Sequence, residues 1–166
     1  MALTYEDLEI GQSLAPISKG PMTTAHIMRW SAAMENWHRI HYDWRFATQH
    51  DGLPDVLVNG SWKQHVLVQL LKDGLGPDGW LWKLKFRYKA MDVAGDTILG
   101  RATVTKKQRA GEFGFVTFEV ELSNKRDVVS TVGSAIGVLP VRGGPKVPYP
   151  FVPSDAYEAI QLPADP

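Results

Sequence analysis

The chain has 166 residues, of which 44% are hydrophobic and 22% charged, a composition typical of one globular domain. Eighteen basic residues balance eighteen acidic ones, so the net charge predicts neither a nucleic-acid partner nor binding to an anionic membrane. The absence of cysteine excludes disulfides, thiolate nucleophiles and cysteine-ligated zinc. Since no apolar run approaches the ~20 residues of a membrane span and the N-terminus lacks a signal-peptide pattern, we expect a cytoplasmic protein.

The first predicted helix follows a lead-in of turns over residues 1–22. Thr23 or Thr24 can cap it, because a threonine hydroxyl accepts hydrogen bonds from the first backbone N–H groups of a helix. Large side chains recur within it at steps of three and four, which predicts that they share one face. These side chains are Ile27, Trp30, Met34 and Trp37.

The helix leads into the motif Asn36–Asp43, which is rich in groups that hold or move protons. The motif contains two histidines, an amide, a guanidinium, a phenol and a carboxylate within eight residues. Residues 41–58 are predicted to form a long loop, and loops of that length inside a compact domain are often functional.

The second predicted helix spans residues 61–71, after Asn59-Gly60-Ser61, with Gly74 as its expected C-cap. Apolar residues cover most of its circumference, which predicts burial on nearly all sides. Its first N–H groups can bind an oxyanion, because they lie at the positive end of the helix dipole. The polar loop and this helix start together suggest acid–base chemistry on a carbonyl compound.

The strand predicted at 80–88 has a regular alternation of hydrophobic and basic side chains. The two sets are therefore predicted to lie on opposite faces of the strand. The hydrophobic set is Trp80, Trp82, Leu84, Phe86 and Tyr88, and the basic set is Lys83, Lys85, Arg87 and Lys89.

Further strands are predicted over 97–106, 113–122 and 128–139, which short turns join with the strand at 80–88 into an antiparallel meander. With a short strand near the N-terminus, this predicts an α+β fold in which a curved sheet wraps one buried helix. Seven of the eleven prolines lie at or beyond Pro140. We therefore predict a single domain over 1–140 and an extended Pro-rich tail over 141–166.

Five segments resemble the MaoC-like hydratase/dehydratase family in order and spacing: YEDLEIGQ, MTTAHIMRWSAA, IHYDWRFA, VNGSWKQHVLVQLL and VAGDTILGRATV. The resemblance covers about residues 5–140, and the form HRIHYD is similar to the branch that includes mesaconyl-type and mitochondrial-type acyl-thioester dehydratases. It implies a hotdog fold. It also implies reversible addition of water to a double bond conjugated to a thioester, usually with R stereochemistry.

The resemblance places the family's catalytic histidine at His41 and its oxyanion-hole glycine at Gly60. The family's catalytic aspartate falls on Asn36, and a supporting hydroxyl residue falls on Val68. The HRIHYD branch also tends to carry Asn at the aspartate position. Asn36 would hold the water or the departing hydroxyl, with His41 as both base and acid; alternatively, Asn36 only caps the preceding helix.

Arg39 and His38 are candidate substrate-binding residues, because a guanidinium binds carboxylates bidentately and branches of the family act on diacid thioesters. The alternative is that Arg39 faces solvent and His38 shapes the loop. Ser61 and Trp62, at the start of the second helix, are expected to contact substrate. Asp43 could orient His41, but a backbone-bound turn is the favoured interpretation.

The resemblance implies no metal and no cofactor, apart from the coenzyme A carried by an acyl-CoA substrate. A histidine pair spaced H-x-x-H gives metal binding little support, because no carboxylate pattern completes a facial triad. The basic face of strand 80–88 is expected to be solvated, with coenzyme A phosphates as the alternative. Hotdog sheets pair edge to edge, so we expect a homodimer or higher homo-oligomer in which His41 and Gly60 could come from different subunits.

Two alternatives to a hydratase/dehydratase are considered. A hotdog thioesterase commonly needs a carboxylate on or near the buried helix, and residues 61–72 contain none. A non-catalytic hotdog protein, which binds acyl-CoA or completes the dimer of an active partner, is favoured by Asn36 and Val68.

Overall fold

The computed structural model describes residues 3–164. Within this range the chain forms two α-helices and five strands. In chain order they are β1 (Ile17–Lys19), α1 (Thr24–Ala33), α2 (Gly60–Leu75), β2 (Trp80–Tyr88), β3 (Ile98–Ala110), β4 (Phe113–Asn124) and β5 (Val129–Pro140). None of the helices in residues 3–164 has the length and apolar character needed to cross a bilayer.

The five strands form one antiparallel sheet in the order β1-β3-β4-β5-β2. The predicted four-strand meander is therefore wrong for β2, which pairs with β5 at the far edge and not with β3. The reason lies in residues 89–97, which do not make a tight turn. Val58 N–H donates to Asp92 O (2.8 Å) and Ala94 N–H donates to Val56 O (3.0 Å), so this segment crosses the end of the fold before β3 begins.

The predicted alternation along β2 is also interrupted. The register against β5 shifts by one residue near position 82, and a one-residue shift moves side chains to the opposite face. Trp80 and Trp82 consequently pack on the outer face, where the Trp82 ring lies 5.6 Å from that of Phe115. Leu84 and Phe86 instead pack on the inner face. The prediction that all five hydrophobic side chains share a face is wrong.

Helix α2 lies against β2, β3, β4 and β5 and forms the centre of the inner core. Its buried residues include Leu67, Leu70 and Leu71, and each such side chain contributes about 1.5–3 kcal/mol on burial. The predicted architecture, a curved sheet wrapped around one buried helix, is confirmed. Burial on nearly all sides is not, because Gln64 and Lys72 are exposed.

The end of α2 differs from the prediction. The helix continues to Leu75 and is terminated by Gly76, whose φ of 71° suits a glycine C-cap. Gly74 lies inside the helix, where a Cβ would come within 2.5 Å of Leu14 Cδ1. Gly74 therefore allows the Leu14 side chain to pack closely against the helix.

Helix α1 begins as predicted, because the Thr23 side chain accepts a hydrogen bond from His26 N–H. It ends at Ala33, however, and Glu35 has a φ of 51° that breaks the helical path. Only Ile27 of the predicted stripe is fully buried, whereas Met34 and Trp37 are exposed. The prediction of four side chains on one helix face is wrong.

Residues 141–164 pack against the outer face of the sheet. Phe151 and Ile160 are buried there against aromatic side chains of β2 and β4. Lys83 Nζ donates to Ile160 O (2.8 Å) and Lys85 Nζ to Ala164 O (2.6 Å). Part of the basic face of β2 therefore holds the tail in place.

Candidate active site

His41 lies in a short 3₁₀ turn, Arg39–His41, that follows α1. Its side chain is only 6% exposed, and its Nδ1 lies 2.8 Å from Leu57 O. Because Leu57 N–H also donates to Ile40 O (2.8 Å), the turn and the segment before α2 are bonded through both backbone and side chain. These contacts fix the position of the imidazole ring.

The contact with Leu57 determines which ring nitrogen carries the proton. A carbonyl oxygen only accepts hydrogen bonds, so neutral His41 carries its proton on Nδ1 and donates it to Leu57 O. Its Nε2 is left with a free lone pair. Burial lowers the pKa of His41 below its ordinary value of 6.5, against the opposing effect of the Leu57 hydrogen bond. At neutral pH the ring is therefore a neutral base.

His38 shapes the turn that carries His41. Its Nδ1 accepts a hydrogen bond from Ile40 N–H (3.4 Å), and its ring lies edge-on to the His41 ring at 6.2 Å between centroids. Across residues 3–164, no set of three or more His, Asp or Glu side chains converges as a metal ion requires.

Arg39 and Asp43 form an ion pair across the same turn. Arg39 Nη2 lies 2.7 Å from Asp43 Oδ2, and the guanidinium lies over the Phe46 ring at 4.4 Å. Asp43 Oδ1 also accepts from Phe46 N–H (3.0 Å). These hydrogen bonds, from Phe46 first and Arg39 second, lower the pKa of Asp43. Asp43 therefore has the favoured structural role, and Arg39 is already bound to a carboxylate of its own loop.

Asn36 is half-buried at the start of the loop. Its backbone N–H donates to Ser31 O (2.9 Å), and its side-chain Oδ1 accepts from His38 N–H (3.3 Å). This second bond forms an Asx turn. The Nδ2 group donates to no other residue in the range 3–164, so its two N–H donors remain available for a ligand.

The start of α2 leaves N–H groups available because Asn59 does not cap the helix. Its side chain instead pairs with buried Ser31, with Nδ2 donating to Ser31 Oγ at 3.0 Å. Asn59 O accepts from Trp62 and Lys63 N–H groups. The N–H groups of Gly60 and Ser61, in the first turn, have no intrahelical acceptor. They can stabilise negative charge on a bound oxygen.

His41 and Gly60 lie close together within one chain. Gly60 follows Leu57 by three residues, so its Cα is within about 11 Å of the Leu57 Cα. Leu57 O in turn accepts from the His41 ring. The His41 ring and the start of α2 are therefore neighbours within one chain.

Two residues near Gly60 had no functional signal in the sequence. The Tyr88 ring packs against Gly60, where an added Cβ would lie 2.9 Å from Tyr88 Cζ and the hydroxyl oxygen. Lys63, one turn into α2, is 3% exposed and forms an ion pair with fully buried Asp92 (3.0 Å). Asn124 Nδ2 donates to the same carboxylate (3.1 Å). The residues around Lys63 do not indicate an ion pair with Asp92, which lies 29 residues away in the chain.

Ser61 and Trp62 line the surface beside Gly60. Ser61 Oγ accepts from Trp30 Nε1 (2.9 Å), and Trp62 lines a cleft of about 380 Å³ with Trp30 and Arg29. Val68 lines a second cleft of about 270 Å³ that Ser61 also borders. The hydroxyl that the family resemblance would place at Val68 is replaced by an apolar surface.

Residues 11–96 match the family described as hydroxyacyl-thioester dehydratase type 2. This is more than half of the chain and includes His41 and Gly60. No curated protein matches the chain significantly.

Several solved structures have a similar fold. An (R)-hydratase from A. caviae involved in PHA biosynthesis is 22% identical, with a TM-score of 0.73 over 81% of this chain and 99% of the other. A MaoC-like dehydratase from Rhodospirillum rubrum is 19% identical, with a TM-score of 0.73 over 84% and 98%. A chain of the ChsH1-ChsH2 complex from Mycobacterium tuberculosis is 18% identical, with a TM-score of 0.68 over 80% of this chain and 98% of the other. The chain belongs to the type 2 hydroxyacyl-thioester dehydratases, within the MaoC-like hotdog family.

Proposed function

We propose that this protein adds water reversibly to 2-enoyl-CoA thioesters, with His41 as acid and base and Gly60 N–H as the oxyanion donor. The observation that carries the proposal is the fixed state of His41. Its Nδ1 is bound to Leu57 O, its pKa is lowered by burial, and its Nε2 is free to take a proton.

In the hydration direction, water gives a proton to His41 Nε2 while its oxygen forms a bond to the β-carbon of the enoyl group. The π electron pair moves to the thioester oxygen, where Gly60 N–H stabilises the enolate. The carbonyl then re-forms as the α-carbon takes the proton back from His41. Dehydration runs these steps in reverse, and His41 is neutral at the start and end of each cycle.

Asn36 supports this chemistry as a hydrogen-bond donor. Its Oδ1 is occupied by His38 N–H, whereas its Nδ2 can donate to the oxygen of the water or of the departing hydroxyl. An amide cannot take a proton from that water. The proton transfers therefore fall to His41 alone.

The substrate class follows from the same residues. Arg39 is held by Asp43 and Phe46, so recognition of a substrate carboxylate requires exchange of that pair. Unbranched 2-enoyl-CoA thioesters are accordingly the first substrates to test, and mesaconyl-type diacid thioesters the second. His38, Ser61 and Trp62 remain proposed substrate contacts.

The assembly we propose is a homodimer in the cytoplasm. β2 lies at an edge of the sheet, and among residues 3–164 β5 is the one strand that pairs with it. Pairing of two such edges across a two-fold axis would cover the exposed backbone groups.

The second candidate function is a non-catalytic acyl-CoA-binding or partner subunit. It is favoured by Asn36 and Val68, which replace the acidic and hydroxyl residues implied by the resemblance. One of the similar structures is itself a complex of two components, ChsH1 and ChsH2. A thioesterase is disfavoured because the acidic residue of α2, Asp73, lies in its last turn, about 20 Å from Gly60.

A single set of assays distinguishes these functions. The purified protein is incubated with short, medium and mesaconyl-type enoyl-CoA thioesters, and loss of the conjugated absorbance and release of free thiol are followed separately. Loss of absorbance without thiol release is expected. Tight acyl-CoA binding without turnover of any thioester would instead support the non-catalytic subunit, and thiol release would support a thioesterase.

A further inference from the structure

Tyr88 brings a hydroxyl group to the start of α2 from a distant part of the chain. It is the last residue of β2, and its backbone pairs with Thr131 of β5. A Cβ built on Gly60 would lie 2.9 Å from the Tyr88 hydroxyl oxygen. The hydroxyl therefore lies against the Cα of Gly60, beside the N–H group proposed to bind the thioester oxygen.

The separation of the two groups suits a shared acceptor. A Cβ lies about 2.5 Å from its own backbone N, so the Tyr88 oxygen is at most about 5.4 Å from Gly60 N. Two donors that each lie about 2.7–3.1 Å from one oxyanion can be up to about 6 Å apart. One oxygen atom can therefore accept from both groups.

The Tyr88 hydroxyl is also available to a ligand. Its residue is 49% exposed, and the hydroxyl hydrogen bonds to no other group in residues 3–164. Burial of the ring raises the pKa of Tyr88 above its ordinary value of 10.0, so the hydroxyl keeps its proton at neutral pH. A protonated phenol can donate to an enolate oxygen.

Lys63 lies against one face of the Tyr88 ring. Its Nζ lies 5.1 Å from the Tyr88 ring centroid and is itself fixed by Asp92 Oδ2 and Ala90 O, each at 3.0 Å. The cation attracts the face of the ring. The orientation of the phenol is thus set by buried groups before any substrate binds, as an efficient oxyanion donor requires.

We infer that Tyr88 is a second hydrogen-bond donor to the thioester oxygen, beside Gly60 N–H, and that Lys63 is the residue that positions it. This inference rests on the proposed hydratase function and extends it by a residue that no motif identifies. A side chain at position 60 would displace the phenol, because its Cβ would lie 2.9 Å from the Tyr88 hydroxyl oxygen.

The test is Tyr88→Phe, which keeps the ring against Gly60 and removes only the hydroxyl. The matched control is Tyr149→Phe, which removes a hydroxyl from a residue that is 90% exposed. Tyr149 lies beside the C-terminal end of α2, and the length of α2, about 24 Å, separates that end from Gly60. For both variants we would measure kcat and KM for a 2-enoyl-CoA, the affinity for a saturated acyl-CoA, and the melting temperature.

Tyr88→Phe is expected to lower kcat by about 10²-fold, with KM and saturated acyl-CoA affinity within about threefold of wild type. Tyr149→Phe is expected to match wild type. Wild-type kcat in Tyr88→Phe would overturn the inference and leave the hydratase function intact. A fall in melting temperature with equal loss of acyl-CoA affinity would overturn it in favour of a packing role. An inactive wild-type protein would overturn both proposals.

Discussion

The loop of residues 36–50 and the start of α2 supply the two halves of the proposed site, and they are stabilised in different ways. In the loop, Arg39 pairs with Asp43 and the Tyr42 hydroxyl donates to Trp37 O, so partners lie within five residues of each other. At the start of α2, Asn59 pairs with Ser31 and Lys63 with Asp92, 28 and 29 residues away. Apart from the contact of buried His41 with Leu57, the side-chain pairs of the first half are local and largely exposed, whereas those of the second are long-range and buried.

This difference predicts that variants of the two halves will have different effects on activity and stability. The loop presents one buried imidazole among exposed, locally bonded side chains, so the exposed ones can be replaced at small cost in stability. The start of α2 contains a buried ion pair, and removal of one partner leaves an uncompensated charge. We therefore expect loop variants to change activity, and α2 variants to change stability as well.

The largest effect is expected for His41→Ala. Removing the base should lower kcat for enoyl-CoA hydration by about 10³-fold or more, with a small change in melting temperature. His50→Ala, in the same loop, is the matched control, because His50 is exposed and its partners among residues 3–164 are Asp51 and Phe46. Activity of His41→Ala within tenfold of wild type would show that the loop is not the catalytic half.

Lys63→Met tests the buried half. It leaves Asp92 without its cation, and should lower the free energy of unfolding by about 3–5 kcal/mol in denaturant titrations. Lys72→Met, on the exposed side of the same helix, should change it by less than about 0.5 kcal/mol. Equal stability of the two variants would mean that the buried pair does not hold the start of α2.

Gly60→Ala tests the proposed oxyanion donor at the start of α2. The new methyl would lie 2.9 Å from the Tyr88 ring, which should cost about 1–3 kcal/mol of stability and displace the N–H group. We expect kcat to fall by about 10²-fold. In a Tyr88→Ala background the stability cost should largely disappear. A persistent cost there would locate the clash elsewhere.

Variants of Asn36 test whether its side chain donates a hydrogen bond to the reacting oxygen or only forms a turn. Asn36→Ala removes both hydrogen-bonding functions and should lower kcat about tenfold. Asn36→Asp keeps an acceptor for His38 N–H and adds a carboxylate that can take the water proton, so its kcat should at least equal that of wild type. Wild-type turnover in Asn36→Ala would show that the side chain is dispensable.

The smallest effect concerns pH. Burial lowers the pKa of His41 below 6.5, and only the neutral ring can act as the base. The kcat/KM for hydration should therefore be constant near neutral pH and fall only as the pH drops through that lowered value. The unfolded chain takes up this proton first, so the contribution of His41 to stability is lost as the pH falls below 6.5. A kcat/KM that already falls between pH 8 and 7 would contradict a neutral His41 ring at neutral pH.

The same contrast explains how much could be predicted from the sequence. The cap of α1 and the turn contacts of the loop were predictable, because Thr23, Asn36 and Asp43 act on neighbours in the chain, whereas the contact of His41 with Leu57 joins residues 16 apart. The strands were placed within a few residues, since alternation is a local signal. The pairing of β2 with β5, the register shift near position 82 and the Lys63–Asp92 pair depend on segments far apart in sequence. No local pattern specifies such contacts, and Tyr88 was therefore assigned only to a strand face.

The most direct test of the central claim is an isotope experiment on the hydration itself. Wild-type protein is incubated with a 2-enoyl-CoA in deuterated water enriched in ¹⁸O, and the product is analysed by mass spectrometry and NMR, with His41→Ala in parallel. We predict a 3-hydroxyacyl-CoA with ¹⁸O on the β-carbon and one deuterium on the α-carbon, formed by wild type and not by His41→Ala. A wild-type reaction that contains no labelled 3-hydroxyacyl-CoA, or equal labelling by the two proteins, would contradict it.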